Sequence, residues 1–200
     1  MAGIAPQTRR IAVVTSGNSR GSNLRAIHDA FRNGAYPVEI ALCIVTKRSA
    51  PIVTLCQDKG IPVEFISSKD LSTFETKLRS LLDEYQIDLI ALAGFLKKLS
   101  ISFIRDLTIP ILNIHPALLP RYGGEGMYGI KVHEAVFSAR EKRSGATVHY
   151  VNRDYDSGRV VLQEAIDITD CTSPQDIAAK VLKVEHHIYA KAILKVLKIH

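Results

Sequence analysis

The chain has 200 residues, 46% of them apolar and 23% charged, which excludes a disordered polar chain and leaves room for one ordinary globular domain. A chain of this size buries roughly 70% of its extended surface and needs no disulfide or metal staple. The net charge of +6 suits anionic ligands, yet no run of five like charges marks a nucleic-acid tail; the widely spaced Cys43, Cys56 and Cys171 fit a reduced, cytoplasmic protein without a thiol zinc site, and no apolar run is long enough to span a bilayer.

Residues 1–10 read as a loose tail and 11–200 as one domain. Residues 11–15 form a short apolar run. Then come Ser16-Gly17-Asn18-Ser19-Arg20-Gly21-Ser22-Asn23 and the helical spacing of Leu24, Ile27 and Phe31, which stops near Asn33-Gly34: strand, glycine turn, helix. A strand is predicted over 38–46, a helix over 51–59 stopped by Gly60, and a short strand over 62–65. Leu71, Phe74, Leu78, Leu81 and Leu82 repeat at helical spacing. Residues 88–93 are nearly all apolar, as expected of a strand covered on both faces. A short helix over 100–106, a buried strand over 109–114, a long Pro- and Gly-rich loop from Pro116 to Gly129 and a helix over 132–139 follow. Strands over 147–151 and 160–168 are separated by a turn. Ser173-Pro174-Gln175-Asp176 opens the last helix with an N-cap Ser, Pro at the first helical position and an acid in the first turn. The alternation predicts an α/β fold: a Rossmann-like, mostly parallel sheet with helices on both faces, and antiparallel strands toward the C-terminal part.

Four places carry possible chemistry. In the first glycine turn, Gly21 allows close approach and Ser22 and Asn23 add donors at a helix N-terminus, where anions are favoured. The pattern is neither Gly-x-Gly-x-x-Gly nor a Walker loop, so it reads either as a phosphate-monoester site or as a plain turn. Asn113 and His115, two apart on a strand, project to one face at the carboxyl end where open α/β sheets bind ligands. An amide there can donate to a developing oxyanion and an imidazole can transfer a proton. In Asn152-Arg153-Asp154-Tyr155-Asp156-Ser157-Gly158, either a simple turn is made or one carboxylate reaches His115, holds its ring and raises its pKa. Glu185 falls inside or beside the apolar stripe Ile177, Val181, Val184 and Ile188, so it faces a ligand or an ion-pair partner.

Taken together, Ser16-Gly17…Gly21-Ser22-Asn23-Leu24, Leu92-Ala93-Gly94-Phe95-Leu96, Leu112-Asn113-Ile114-His115-Pro116-Ala117-Leu118-Leu119-Pro120, Thr147-Val148-His149, Asp156-Ser157-Gly158 and Glu185-His186 closely resemble the folate-dependent formyltransferase family, in its phosphoribosylglycinamide branch. The resemblance runs from about residue 11 to residue 197. It implies transfer of a formyl group from 10-formyltetrahydrofolate, as co-substrate, to the amine of glycinamide ribonucleotide, with no metal, nucleic-acid or membrane partner, in a monomer or homodimer. It implies catalytic roles for Asn113, His115 and Asp156, substrate binding by Gly21, Ser22, Asn23 and Glu185, and a folate pocket made by Leu96, Lys97, Lys98 and Leu99 with Asn152, Arg153, Asp154 and Tyr155. The first loop is longer here than the common Gly-Asn-Gly-Ser-Asn form, with Ser19 and Arg20 in the added stretch. Hydrolysis of the formyl-folate and formylation of initiator methionyl-tRNA are the enzyme alternatives; both are expected to need a further domain for which 200 residues leave no space. A Rossmann-like ligand-binding module is the non-enzyme alternative.

Overall fold

The computed structural model describes residues 7–17, 19–32, 34 and 36–199. The elements in chain order are β1 (Arg9–Thr15), α1 (Ser22–Phe31), β2 (Val38–Val45), α2 (Ile52–Asp58), β3 (Val63–Phe65), α3 (Leu71–Glu84), β4 (Leu89–Leu92), α4 (Ile101–Asp106), β5 (Ile111–His115), α5 (Ile130–Ser138), β6 (Arg143–Tyr150), β7 (Val160–Asp167) and α6 (Pro174–Leu197). They build one seven-stranded sheet in the order β3-β2-β1-β4-β5-β6-β7. The first five of these are parallel, and β6 and β7 continue the sheet antiparallel.

Period-two burial explains why the sheet is covered on both sides. In β1, Ile11 and Val13 pack with α1, α2, α5 and α6, whereas Ala12 and Val14 pack with α3 and α4. Opposite them, the β1–β2 register skips one residue between Ile11↔Ile40 and Ala12↔Leu42. This bulge keeps Ile40 on the first face and turns Leu42 to the second. The sheet thus has the Rossmann-like architecture expected of the alternating pattern.

Several boundaries differ from the sequence expectation, and at two of them the cause is visible. β1 begins at Arg9, because Arg9 and Arg10 pair with Val38 and Glu39 and bond Asp88; the tail reading therefore fails for Arg9 and Arg10, while its residues 1–6 lie outside the described residues. β6 begins at Arg143, four residues earlier than apolar alternation indicates. Its start, Ser144-Gly145, carries no large apolar side chain because none fits: a Cβ on Gly145 would stand 2.0 Å from the Glu164 carbonyl oxygen. α1 ends at Phe31 with Arg32 as its C-cap, close to the stop expected near Asn33-Gly34; Asn33 itself lies outside the described residues. α6 is capped as its sequence predicts, with the Ser173 hydroxyl accepting from the Asp176 amide at 3.2 Å.

The strand order reverses between β1 and β4, and a ligand crevice opens at the carboxyl ends on either side of such a reversal. Tyr189 of α6, fully buried, closes the floor there: its hydroxyl lies 2.8 Å from the Leu92 carbonyl and 3.2 Å from that of Leu112. That ties the last helix to the ends of β4 and β5. Among the described residues no helix is long and apolar enough to cross a membrane.

Candidate active site

A cleft of about 610 Å³ lies over the carboxyl ends of β1, β4 and β5. It is lined by the β1–α1 loop, residues 92–99, residues 113–116, the 124–129 loop and the 152–156 turn, with Glu185 of α6. Of the residues singled out from sequence, Gly21, Ser22, Asn23, Glu185, Leu96, Lys97, Lys98, Leu99, Asn113, His115, Asn152, Asp154, Tyr155 and Asp156 all border it. Arg153 does not: its exposed guanidinium turns to Asp154 Oδ2 at 3.1 Å.

Gly21 starts α1 with φ +76, the left-handed region, and a Cβ there would meet Ile52 Cγ1 at 2.6 Å. Only glycine lets the loop press against α2 while leaving the first amides of α1 without a side-chain cap. Asn23 Nδ2 donates to Glu185 Oε2 at 2.8 Å. Glu185 thus has an amide partner, not the Lys or Arg of an ordinary buried ion pair. Burial raises its pKa, with the Asn23 bond pulling the other way. Asn23 Oδ1 is buried without a partner.

At the end of β5, Asn113 and His115 do share a face. Opposite Asn113 in the antiparallel register stands His149 of β6. The Asn113 amide nitrogen lies 3.1 Å from His149 Nε2 and 3.4 Å from Asp156 Oδ1. His149 Nδ1 is 2.9 Å from the Tyr150 carbonyl. That oxygen can only accept, so Nδ1 carries the hydrogen and Nε2 takes one from Asn113. His115 is 3% exposed. Its Nε2 is 2.7 Å from the Tyr122 carbonyl, again an acceptor, and its Nδ1 is 3.4 Å from Asp156 Oδ2. The Nδ1 contact becomes a hydrogen bond only when the ring takes its second proton.

Asp156 sits at φ +51, a left-handed conformation that Asp tolerates better than most residues. There it also accepts from the Gly124 amide at 3.0 Å. Burial alone would raise its pKa; His149, the positive charge of His115 and the Gly124 N–H outweigh that and hold it below the ordinary carboxylate value. For His115 the balance runs the other way. Burial lowers its pKa more than Asp156 and the Tyr122 carbonyl raise it. Asp156 does pull the His115 pKa upward, as expected of a carboxylate there, but desolvation exceeds that pull and the net shift is downward.

The folate segments named from sequence also meet. Lys98 Nζ is 3.9 Å from Asp154 Oδ1 and 5.4 Å from the centroid of the Tyr155 ring, so the 96–99 and 152–156 segments face each other. Asn152 Oδ1 accepts from the Asp154 amide and the Ser157 hydroxyl and shapes that turn. Leu96 N–H donates to Ser16 Oγ at 3.0 Å, joining the β1 and β4 loops across the crevice.

Two side chains here escaped the sequence reading. His149 was visible only within a motif; placing it needed the β5–β6 register. His133 of α5 looked like any helical residue, yet it borders the cleft, is buried, and its Nδ1 has no partner. Burial and the neighbouring His115 push its pKa down to about 4. In the unfolded chain a His titrates near 6.5, so between about 6.5 and 4 the unfolded chain binds the extra proton. Stability must then fall as pH drops through that window. His133→Gln is expected to flatten the pH dependence of Tm between 6.5 and 4 in thermal melts; an unchanged slope would show that another group dominates. Among the described residues no group of three or more His, Cys, Asp or Glu is arranged to hold a metal ion.

The formyl transferase family profile matches residues 9–193. A chloroplastic phosphoribosylglycinamide formyltransferase of Arabidopsis thaliana is 37% identical over 94% of this chain, which spans 65% of that protein's length. The phosphoribosylglycinamide formyltransferase of Haemophilus influenzae is 33% identical, over 92% of this chain and 85% of that one. Among solved structures, the phosphoribosylglycinamide formyltransferase of Anaplasma phagocytophilum superposes with a TM-score of 0.83 at 32% identity, covering 94% of this chain and 86% of that one.

Proposed function

The chain belongs to the formyl transferase family, and on that footing we propose that it transfers the formyl group of 10-formyltetrahydrofolate to the amine of glycinamide ribonucleotide in purine biosynthesis. The observation that carries this reading is convergence: the α1 loop, the Asn113–His115–Asp156 group and the paired 96–99 and 152–156 segments all open on one cleft. That is what a reaction between a sugar phosphate and a pterin requires. The names of its bacterial relatives support the same substrates.

The substrate amine attacks the formyl carbon. A C–N bond forms, the carbonyl becomes a tetrahedral oxyanion, and the bond from that carbon to the folate nitrogen breaks as the proton lost by the amine reaches that nitrogen through water. Asn113 and His115 serve the oxyanion. His115 Nε2–H rests on the Tyr122 carbonyl, and the formyl oxygen takes that acceptor's place. Negative charge on the oxyanion adds to the pull of Asp156, so the ring, which burial biases toward its neutral form, takes a proton from water as the oxyanion forms and returns it as the oxyanion collapses. Asp156 then holds the imidazolium through Nδ1. No covalent enzyme intermediate is needed, because holding both substrates in place removes much of the entropic barrier.

Ribonucleotide-dependent release of tetrahydrofolate tests the reaction, and release without the ribonucleotide would mark a hydrolase instead. Ser22→Ala and Asn23→Ala are each expected to raise the KM for the ribonucleotide several-fold more than the KM for the folate. Equal rises in both would remove the α1 loop from substrate binding.

A further inference from the structure

The added stretch of the first loop leaves one side chain whose role nothing above assigns. Arg20 borders the cleft beside Gly21 and is exposed, and its guanidinium makes no hydrogen bond or ion pair with the described residues. Its backbone is nevertheless fixed on both sides. The Ser19 carbonyl accepts from the Ile52 amide at 3.1 Å, and Ser19 Oγ accepts from the Gly21 amide at 3.2 Å. Gly21 is wedged against Ile52. The loop therefore anchors the backbone of Arg20 at the mouth of α1, while its guanidinium has no partner among the described residues.

Charge arithmetic shows what that cation matches. A phosphate monoester carries about −1.5 to −2 at neutral pH, whereas a helix N-terminus supplies the equivalent of about +0.5. The side-chain donors near it are fewer than the sequence indicates, because the Asn23 amide is committed to Glu185. Of the other lysines and arginines bordering the cleft, Lys97 and Lys98 belong to the far, β4–α4 side, and Lys98 is engaged by Asp154 and Tyr155. A planar guanidinium that can bond two phosphate oxygens at once fits the remaining need.

We propose that Arg20 is a specificity-determining residue that clamps the phosphate of the ribonucleotide against the start of α1 and so distinguishes the phosphorylated substrate from its nucleoside. The proposal rests on the reading of the cleft as a ribonucleotide site. Arg20 acts from the solvent side, so its contribution weakens with added salt, and lysine, with the charge but not the fork, replaces it in part.

Two measurements on the intact protein test this. Calorimetric titration with ribose 5-phosphate, which needs no turnover, is expected to show about tenfold weaker binding for Arg20→Ala, partial recovery for Arg20→Lys, and a gap from wild type that narrows with salt. In steady-state assays the ratio of kcat/KM for glycinamide ribonucleotide to that for its unphosphorylated riboside is expected to fall about tenfold in Arg20→Ala. If wild type binds ribose 5-phosphate and Arg20→Ala binds it equally well, with that ratio preserved, the clamp is overturned and the ribonucleotide reading stands. If wild type neither binds the sugar phosphate nor uses the ribonucleotide, both fall together.

Discussion

Asn113→Ala is expected to lower kcat by about 10²–10³-fold. The amide sits at the end of a strand paired on both sides, so its position owes nothing to loop order. In the proposed reaction it supplies an N–H to an oxyanion that exists only along the reaction path, so its loss appears in kcat and only weakly in either KM. The stability cost is small by comparison. Asn113 is half-buried, and truncation strips His149 Nε2 of one donor, a loss on the order of 1 kcal/mol. Rapid-quench or steady-state kinetics beside a thermal melt separate the two effects. A kcat within a few-fold of wild type would remove Asn113 from the chemistry.

Asp156→Asn, nearly isosteric, is expected to cost at least about 10² in kcat. The carboxylate accepts from opposite sides, from the Gly124 N–H at Oδ2 and from the Asn113 amide at Oδ1, with His115 Nδ1 and His149 Nε2 each 3.4 Å from one of the two oxygens. An amide offers one oxygen, so its NH2 must face either the Gly124 N–H or the Asn113 NH2, donor against donor. The ring of His115 also loses the charge that favours its protonated form, so the residual activity is expected to move to lower pH. The stability change has a definite sign. The Asp156 pKa is lowered in the folded chain, so its contribution is present above the ordinary carboxylate value and is lost as pH falls through the folded value. Asp156→Asn should therefore be destabilising at neutral pH and converge with wild type in acid. A variant with wild-type kcat and an unshifted pH profile would leave Asp156 a purely structural turn residue.

What the sequence makes legible follows from how far each signal reaches. Asn113 and His115 are visible together because a two-residue strand period is local. Glu185 stands out because a carboxylate in an apolar helical stripe needs an explanation. The core follows from the apolar run of β1 and from helical spacing in α3. Hidden from that reading are groups with no side-chain signature: the Tyr122 carbonyl on His115 and the Gly124 amide on Asp156. Pairings set by long-range register stay hidden too, such as Asn113 with His149, and so does net electrostatics. The reversal at His115 shows the last point most clearly. A carboxylate beside a histidine reads as a raised pKa, but the degree of burial that outweighs it is a property of the folded chain. Arg153 fails as a cleft residue for a similar reason: a turn fixes the direction of each side chain, and on that turn Asn152, Asp154, Tyr155 and Asp156 border the cleft while Arg153 does not.

If one cleft brings a formyl donor and a ribonucleotide amine together, the label of the donor must end on the ribonucleotide. The most direct test incubates wild-type protein with glycinamide ribonucleotide and 10-formyltetrahydrofolate labelled with ¹³C in the formyl group, and follows both products by mass spectrometry. The expected product is a ribonucleotide heavier by one labelled formyl group, formed in step with tetrahydrofolate and abolished in the Asn113→Ala, Asp156→Asn double variant. Label recovered as free formate, with the ribonucleotide unchanged, would contradict it.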